Sequence, residues 1–457
     1  MAILTVEEII EATGGTLLSE NAKSFKGVSI DSRTIEEGDI FFALRGKRFD
    51  GHHYLENALM KGSGAVVDTK AGEFPQNRVI ICVSDTLRSL QDLAHFLRMR
   101  RNIPVVAVTG SNGKTTTKEM IHLILSGRFK TLKNEGNLNN HIGLPLSLTQ
   151  LSPDHEVIVL EMGMNATGEI RRLCEIAVPS HGVITNIGSA HVGMLGSYDA
   201  VRTAKLEILD GLSLAVVNGD DDFLMRGVEG IKEFKGQIMT FAINSSAPVM
   251  AKNVRMTKKG SEFNLEISDS GSAKVNLNVH GLFNVYNALA ASAVSFSLGM
   301  NIGEIKAALE TYRTFPMRFE VTRKEGITII NDSYNANPAS MRESVNELMR
   351  LSGSKRSVAV LGDMRELGEF SEDEHRAVGK MIYERGVDIF IAVGARMRLA
   401  AEECMKKKGR KAVYHFTDVH DARQHIMSIL EKGDTVLIKG SRSMSMESLM
   451  EEIADAV

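Results

Sequence analysis

The stretch PVVAVTGSNGKTTT, residues 104–117, restricts what this chain can fold into more than any other. Residues 105–108 form a short, wholly apolar run of the kind buried on both faces, and a glycine loop and an apparent helix follow directly. Strand, glycine loop and helix in that order call for a parallel sheet, because the loop amides must converge on one anion at a helix N-terminus. Gly110 and Gly113 free the backbone around Ser111 and Asn112 for that turn. Lys114 brings charge to outer phosphates, the Thr115 hydroxyl can ligate magnesium, and Thr116 continues the first helical turn. The longer form of this loop would ask for glycine at 108; Val108 stands there, so this is the short GxxGKT variant.

Length bounds the rest. With 457 residues the chain has room for two or three domains. We expect an α/β protein of three domains: residues 1–82, 83–313 and 314–457. The first opens with an amphipathic helix (Val6, Ile9, Ile10) and carries short strands near 27–30, 40–43 and 65–67. A helix over 87–101 leads into the second, whose apolar strands at 105–108, 157–160, 182–185 and 214–217 alternate with helical stretches and close with helices at 284–296 and 302–312. That alternation predicts a parallel sheet covered on both faces. The third repeats the pattern, with strands at 327–331, 358–361, 389–393 and 435–438 and helices near 338–351, 371–385, 396–408 and 446–456, a second doubly wound, Rossmann-like domain.

Composition excludes several classes. Fifty-four Lys and Arg nearly balance 57 Asp and Glu, so no net field draws the chain to nucleic acid or an anionic membrane. The one basic run, Lys406 to Lys411, reads as a solvated helix end. Cys82, Cys174 and Cys404 are far apart and form no CxxC pair, which suits isolated buried thiols in a reducing compartment and argues against zinc. The N-terminal stretch is acidic where a signal peptide is basic, and no apolar run reaches membrane-spanning length; the expected location is the cytosol.

Polar residues gather at the other strand ends. Glu161 ends an apolar strand, where carboxylates of open α/β sheets meet ligands and magnesium. His191 lies in a loop of small residues, and Lys205, taken alone, reads as a solvated helix lysine. Asp332 opens the polar cluster INDSYNANPASM, while Asp363, Lys439 and Arg442 have the same strand-end placement and are expected to reach a cleft between the last two domains.

Together, VSIDSRTIEEGDIFFALRGKRFDGHHY, TGSNGKTTTK, EGNLNNHIGLPL, EMGMNATGEI, TNIGSAHVGMLGS, NVYNALAA, NDSYNANPASM, LGDMRELG and KGSRSMSME resemble, in this order and over nearly the whole chain, the Mur ligase family of amino-acid-adding enzymes of peptidoglycan precursor synthesis. The resemblance implies an N-terminal UDP-binding module, a central ATPase domain and a C-terminal Rossmann-like domain that closes over the nucleotide. It implies a monomer acting on UDP-N-acetylmuramoyl-tripeptide and D-alanyl-D-alanine, with ATP and two magnesium ions. The DNPR-type motif of the sibling enzyme that adds the third amino acid is absent.

Residue roles also come from the resemblance. Gly110 to Thr116, with Lys114 and Thr115 foremost, would hold the phosphates and first magnesium, Glu161 would share that metal, and Asn139 or Asn140 would lie near the γ-phosphate. His191 would help hold a second magnesium with Lys205, carbamylated by carbon dioxide into an anionic oxygen ligand. Asn284 would contact adenine; Arg318 and Asp332 would contact the nucleotide, with Tyr334 beside them. Ser32 and Arg33, with Arg45 nearby, match the uridine-binding stretch. One departure is Phe283, where the family commonly has histidine. No residue is singled out as the base for the amine.

Overall fold

The structure is a computed structural model, and it describes residues 3–19, 21–46, 49–68, 75, 77–406 and 412–455. Three main sheets follow one another along the chain.

The first sheet has five strands in the order Thr16–Ser19, Val79–Cys82, Gly64–Val67, Asp39–Phe42, Gly27–Ser29, all parallel except Thr16–Ser19. The helix Val6–Thr13 starts at a reciprocal cap between Thr5 and Glu8 and ends at the left-handed Gly14. It buries Val6 and Ile9 in the same core as Ile40, Phe42 and Val66. Thr16–Ser19 and Val79–Cys82 were not foreseen from the sequence.

The second sheet has nine strands: Thr131–Lys133, Val157–Glu161, Val105–Thr109, His181–Ile184, Leu214–Asn218, Gln237–Ala242, Val249–Met256, Ser261–Ile267 and Gly271–Leu277. The four strands expected from sequence are present, but the sheet is not purely parallel. Its last two strands run antiparallel to their neighbours. The reason is visible in Ser261–Ile267, where buried and half-buried residues alternate, so only one face is packed. Phe263, Leu265, Val275 and Leu277 thereby join the core built on Val106 and Val108. The helices Lys114–Leu125 and Leu282–Ser297 pack against each other over that core.

The third sheet runs Glu320–Lys324, Ile327–Asn331, Thr435–Lys439, Ser357–Gly362, Ile389–Val393, Ala412–Phe416, parallel except for its first strand. The helix Pro338–Ser352 begins with Pro at its first turn and with Asn337 as its cap, accepting from Ser340 N at 2.9 Å. The helix expected to run to 408 is Met397–Met405; the basic run beyond Lys406 falls outside the described residues.

The second and third lobes pack together. One apolar cluster holds Ile184 and Val192 from the second lobe and Phe319, Met364 and Leu367 from the third. Gly193 N donates to Glu366 O at 3.2 Å, and Gly193 and Gly368 abut so closely that a Cβ on Gly193 would overlap the Gly368 backbone. All three cysteines are free and buried, and burial pushes the Cys174 thiol up to about 12. Among the described residues no helix is long and apolar enough to cross a membrane.

Candidate active site between the second and third lobes

From Val105–Thr109 the chain moves to strands on one side, Thr131–Lys133 and Val157–Glu161, and then returns to His181–Ile184 on the other. The loops after these strands therefore diverge, leaving a crevice at their C-terminal ends. A cavity of ≈ 760 Å³ occupies it, lined by the 111–116 loop, Asn139, Asn140, Glu161 and His191 on one side and by Asp332, Tyr334, Asn337, Arg342 and Lys439 on the other.

The loop has the geometry of a phosphate cradle. Gly110 and Gly113 have φ of +146° and +82°, and at each the neighbouring wall leaves no room for a side chain: a Cβ on Gly110 would overlap Thr185 Oγ1, and one on Gly113 would overlap Asn287 Oδ1. Thr185 Oγ1 also donates to Asn112 O, and Asn186 Oδ1 accepts from Asn112 N, so the loop is fixed by the neighbouring strand end. Gly113 caps the helix that starts at Lys114, which aims that helix's free amides into the cavity. Lys114 Nζ donates to Gly110 O at 2.8 Å. Desolvation lowers the Lys114 ammonium, and Arg318 adds to this, while Glu161 and Glu366 pull the other way.

Thr115 Oγ1 donates to Glu161 Oε2 at 2.7 Å, and Asn139 Nδ2 donates to Glu161 Oε1 at 2.7 Å. Asn134, unforeseen from sequence, holds the strand end by accepting from Glu161 N and donating to Glu161 O. Glu161 is only 3% exposed and has no ion pair among the described residues, so a hydroxyl and a carboxylate, both hard oxygen donors, face the cradle together. That set fits one magnesium. Among the described residues no group of three or more His, Cys, Asp or Glu gathers as a metal cage. Asn140 also lines the cavity, but its Oδ1 is occupied by Ile142 N and Gly143 N.

Lys205 sits behind the loop rather than in the cavity. It is 1% exposed and donates to Gly110 O at 3.1 Å. Desolvation, with Lys114 nearby, drives its ammonium well below the ordinary lysine range. His191 lines the cavity, and its Nδ1 lies 3.0 Å from Glu366 Oε2 of the third lobe without the alignment of a hydrogen bond. This partner was not read from the sequence.

On the nucleotide side, Arg318 donates to Thr115 Oγ1 at 2.8 Å and lies 3.9 Å over the Tyr334 ring. Asp332 accepts from Lys439 Nζ at 2.5 Å, Ser344 Oγ at 2.6 Å and Phe319 N at 3.1 Å. Asn284 is 3% exposed, with its amide engaged by His280 O and Asn287 Nδ2. Phe283 contributes no polar atom: its ring meets Phe319 edge-on at 5.6 Å. Asn337 Nδ2 donates to Asn112 Oδ1 at 2.7 Å, tying the third lobe to the loop itself.

Two expectations need correction. Asp363 does not reach the cleft, because its Oδ1 accepts from Arg396 N and Met397 N and is committed to starting that helix. Arg442 pairs with Glu447 at 2.5 Å outside the cavity. Ser32, Arg33 and Arg45 lie on the first sheet, after the parallel strands Gly27–Ser29 and Asp39–Phe42, and none lines the central cavity. Arg33 pairs with Asp31 at 2.6 Å and Arg45 with Asp68 at 2.8 Å. His52 bridges Asp50 and Asp68 beside them.

A phosphate-binding strand, loop and helix faces a second parallel-sheet lobe across one cleft, and the family matches make the chain an ATP-dependent ligase that belongs to the Mur ligase family. Matches cover residues 24–99 (Mur ligase family, catalytic domain), 108–295 (Mur ligase middle domain) and 317–442 (Mur ligase, glutamate ligase domain). The UDP-N-acetylmuramoyl-tripeptide--D-alanyl-D-alanine ligase of Bacillus subtilis is 35% identical over 99% of this chain and 98% of its own. That of Escherichia coli is 34% identical over 100% and 99%. A crystal structure of MurF from Acinetobacter baumannii superposes with a TM-score of 0.91 at 33% identity, covering 99% of both chains. The Thermotoga maritima MurF ligase in complex with ADP gives 0.82 at 29% identity, over 94% of this chain and 98% of that one.

Proposed function

We propose that this protein joins UDP-N-acetylmuramoyl-tripeptide to D-alanyl-D-alanine in an ATP-driven reaction, as a monomer in the cytosol. The observation that carries this reading is the extent of the likeness to the Bacillus subtilis and Escherichia coli ligases, which runs through all three sheets.

A carboxylate resists an amine at neutral pH because its oxygen leaves poorly. In the proposed route the tripeptide carboxylate attacks the γ-phosphate, giving an acyl phosphate and ADP; the dipeptide amine then attacks the carbonyl, and phosphate departs. The free amides of the helix start from Lys114 on and the Lys114 ammonium stabilise charge that grows on the phosphoryl oxygens. Thr115 and Glu161 would hold one magnesium, and His191 with a carbamylated Lys205 a second; when bound, these ions neutralise phosphate charge and polarise the reacting oxygens. Asn139 orients Glu161, and Arg318 secures Thr115 from the third lobe. In this route the two lobes, which already pack together, would shield the acyl phosphate from hydrolysis. Asn284, Asp332 and Tyr334 form the nucleoside side, and the cluster of Ser32, Arg33, Arg45 and His52 receives the UDP group.

Phosphate release should be measured with ATP, magnesium, each UDP-muramoyl peptide and a panel of amines. The expected result is release with the tripeptide and D-alanyl-D-alanine together. Release only with another amine rejects the substrate assignment, and tight ATP binding without any peptide product rejects ligation altogether.

A further inference from the structure

Five cationic side chains line the central cavity, and four of them are engaged by the protein. Lys114 is held by Gly110 O, Arg318 by Thr115 and the Tyr334 ring, Lys439 by Asp332, and Arg365 turns its Nη2 to Met444 Sδ at 3.9 Å. Arg342 is the exception. Among the described residues its guanidinium has no hydrogen bond and no ion pair, and it stands exposed at the cavity rim with its five donors open to a ligand. It stands near the start of the helix Pro338–Ser352, where the helix dipole favours an anion. Arg342 also borders a smaller cavity of ≈ 450 Å³ with Lys380, Arg385 and Glu384, in which Glu384 pairs with Lys380 at 3.8 Å. The acids facing it in the central cavity are Glu343 and Glu374. Desolvation raises both carboxyls, and Arg342 draws them down. Tyr198, from the second lobe, completes the wall.

We propose that Arg342 is the anchor for the terminal carboxylate of the incoming dipeptide and so a specificity-determining residue. The inference rests on the dipeptide-ligase reading above. An extended dipeptide spans about 7 Å from amine to carboxylate. Its amine must reach the phosphate cradle, so its carboxylate falls that far away. Asn337 pins the start of the helix to Asn112 of the cradle at 2.7 Å, and Arg342 lies five residues on, about 7.5 Å along the axis. Helical side chains lean back toward the N-terminus, which points the guanidinium to the cradle side. A fork of donors on a free carboxylate also explains why an acid, rather than a neutral amide, would be selected.

The test is steady-state kinetics of the full-length enzyme and of Arg342→Met and Arg342→Lys, with D-alanyl-D-alanine and with its C-terminal amide. Arg342→Met should raise the dipeptide KM roughly 10- to 100-fold while the KM values for ATP and UDP-tripeptide stay within about twofold. Arg342→Lys should recover part of the loss, as a point charge without the bidentate fork. The decisive readout is preference: the unsubstituted enzyme should strongly favour the acid over the amide, and Arg342→Met should treat the two alike. An acid preference that survives in Arg342→Met overturns the inference. So does a rise confined to the UDP-tripeptide KM, which would assign the guanidinium to the tripeptide's ionised third side chain. Failure of the unsubstituted enzyme to use D-alanyl-D-alanine at all refutes the functional reading instead.

Discussion

Gly113→Ala isolates the backbone contribution to nucleotide binding. Gly113 has φ of +82°, and the left-handed region costs a residue with a Cβ about 1–2 kcal/mol. The new methyl would also overlap Asn287 Oδ1, which accepts from Thr117 Oγ1 at 3.3 Å while Asn287 Nδ2 donates to Asn284 Oδ1 at 3.1 Å. Displacing that side chain disturbs at least one buried hydrogen bond, about 1 kcal/mol more. The total, about 2–3 kcal/mol, can be relieved only by reshaping the loop, and it then appears as a roughly 30- to 140-fold weaker Kd for an ATP analogue. Calorimetric titration on folded protein measures this directly. Asn287→Ala in the same chain should restore only the share due to overlap. An unchanged Kd for Gly113→Ala would refute the claim that this loop conformation forms the nucleotide cradle.

Lys205→Ala should cut turnover on the order of 10²-fold or more, and formate should restore part of it by supplying the missing oxygen; full activity without formate, read as phosphate release, would remove Lys205 from the site. Lys118 is fully buried, donating to Asn134 O at 2.6 Å and pairing with Glu119 at 2.9 Å. Glu119 keeps Lys133 at 2.6 Å, so Lys118→Met should destabilise by about 1–3 kcal/mol in denaturant titration through the abandoned carbonyl. Burial raises the Asp220 carboxyl, but the amides of Asn244 and Ile243, with Ser245 and Tyr286, outweigh it and hold the group down at about 2. Its stabilising contribution is therefore complete above the ordinary carboxylate value and is lost as pH falls toward 2. Asp220→Asn should flatten that limb of an acid-unfolding curve, and an unchanged limb would contradict this sign.

The cradle was legible in the sequence because everything it needs is local: the apolar run, Gly110, Gly113, Lys114 and Thr115 occupy one stretch of eleven residues. Glu161 was legible for a related reason, since a strand end is a place as well as a pattern. Asp363 had the same pattern and a different outcome, because the helix beginning at Met397 claims its oxygens, a contact 34 residues away. Lys205 carried no local signal at all; its desolvation comes from packing under Gly110, 95 residues earlier. The antiparallel strands 261–267 and 271–277 alternate cleanly but follow a register shift between Lys252 and Arg255, which breaks the pattern that precedes them. Arg342 sits on an unremarkable helix face, and only the absence of a partner singles it out.

The two glycines that abut where the lobes meet, Gly193 and Gly368, leave bare main chain against main chain. A seam of that kind has no side chains of its own to interlock, so the apolar cluster of Val192, Met364 and Leu367 beside it, and not the glycines, holds the lobes at this point. It also tolerates no filler. A single added methyl at either position would act as a wedge, holding the jaws ajar beside His191 and Glu366 of the cavity wall.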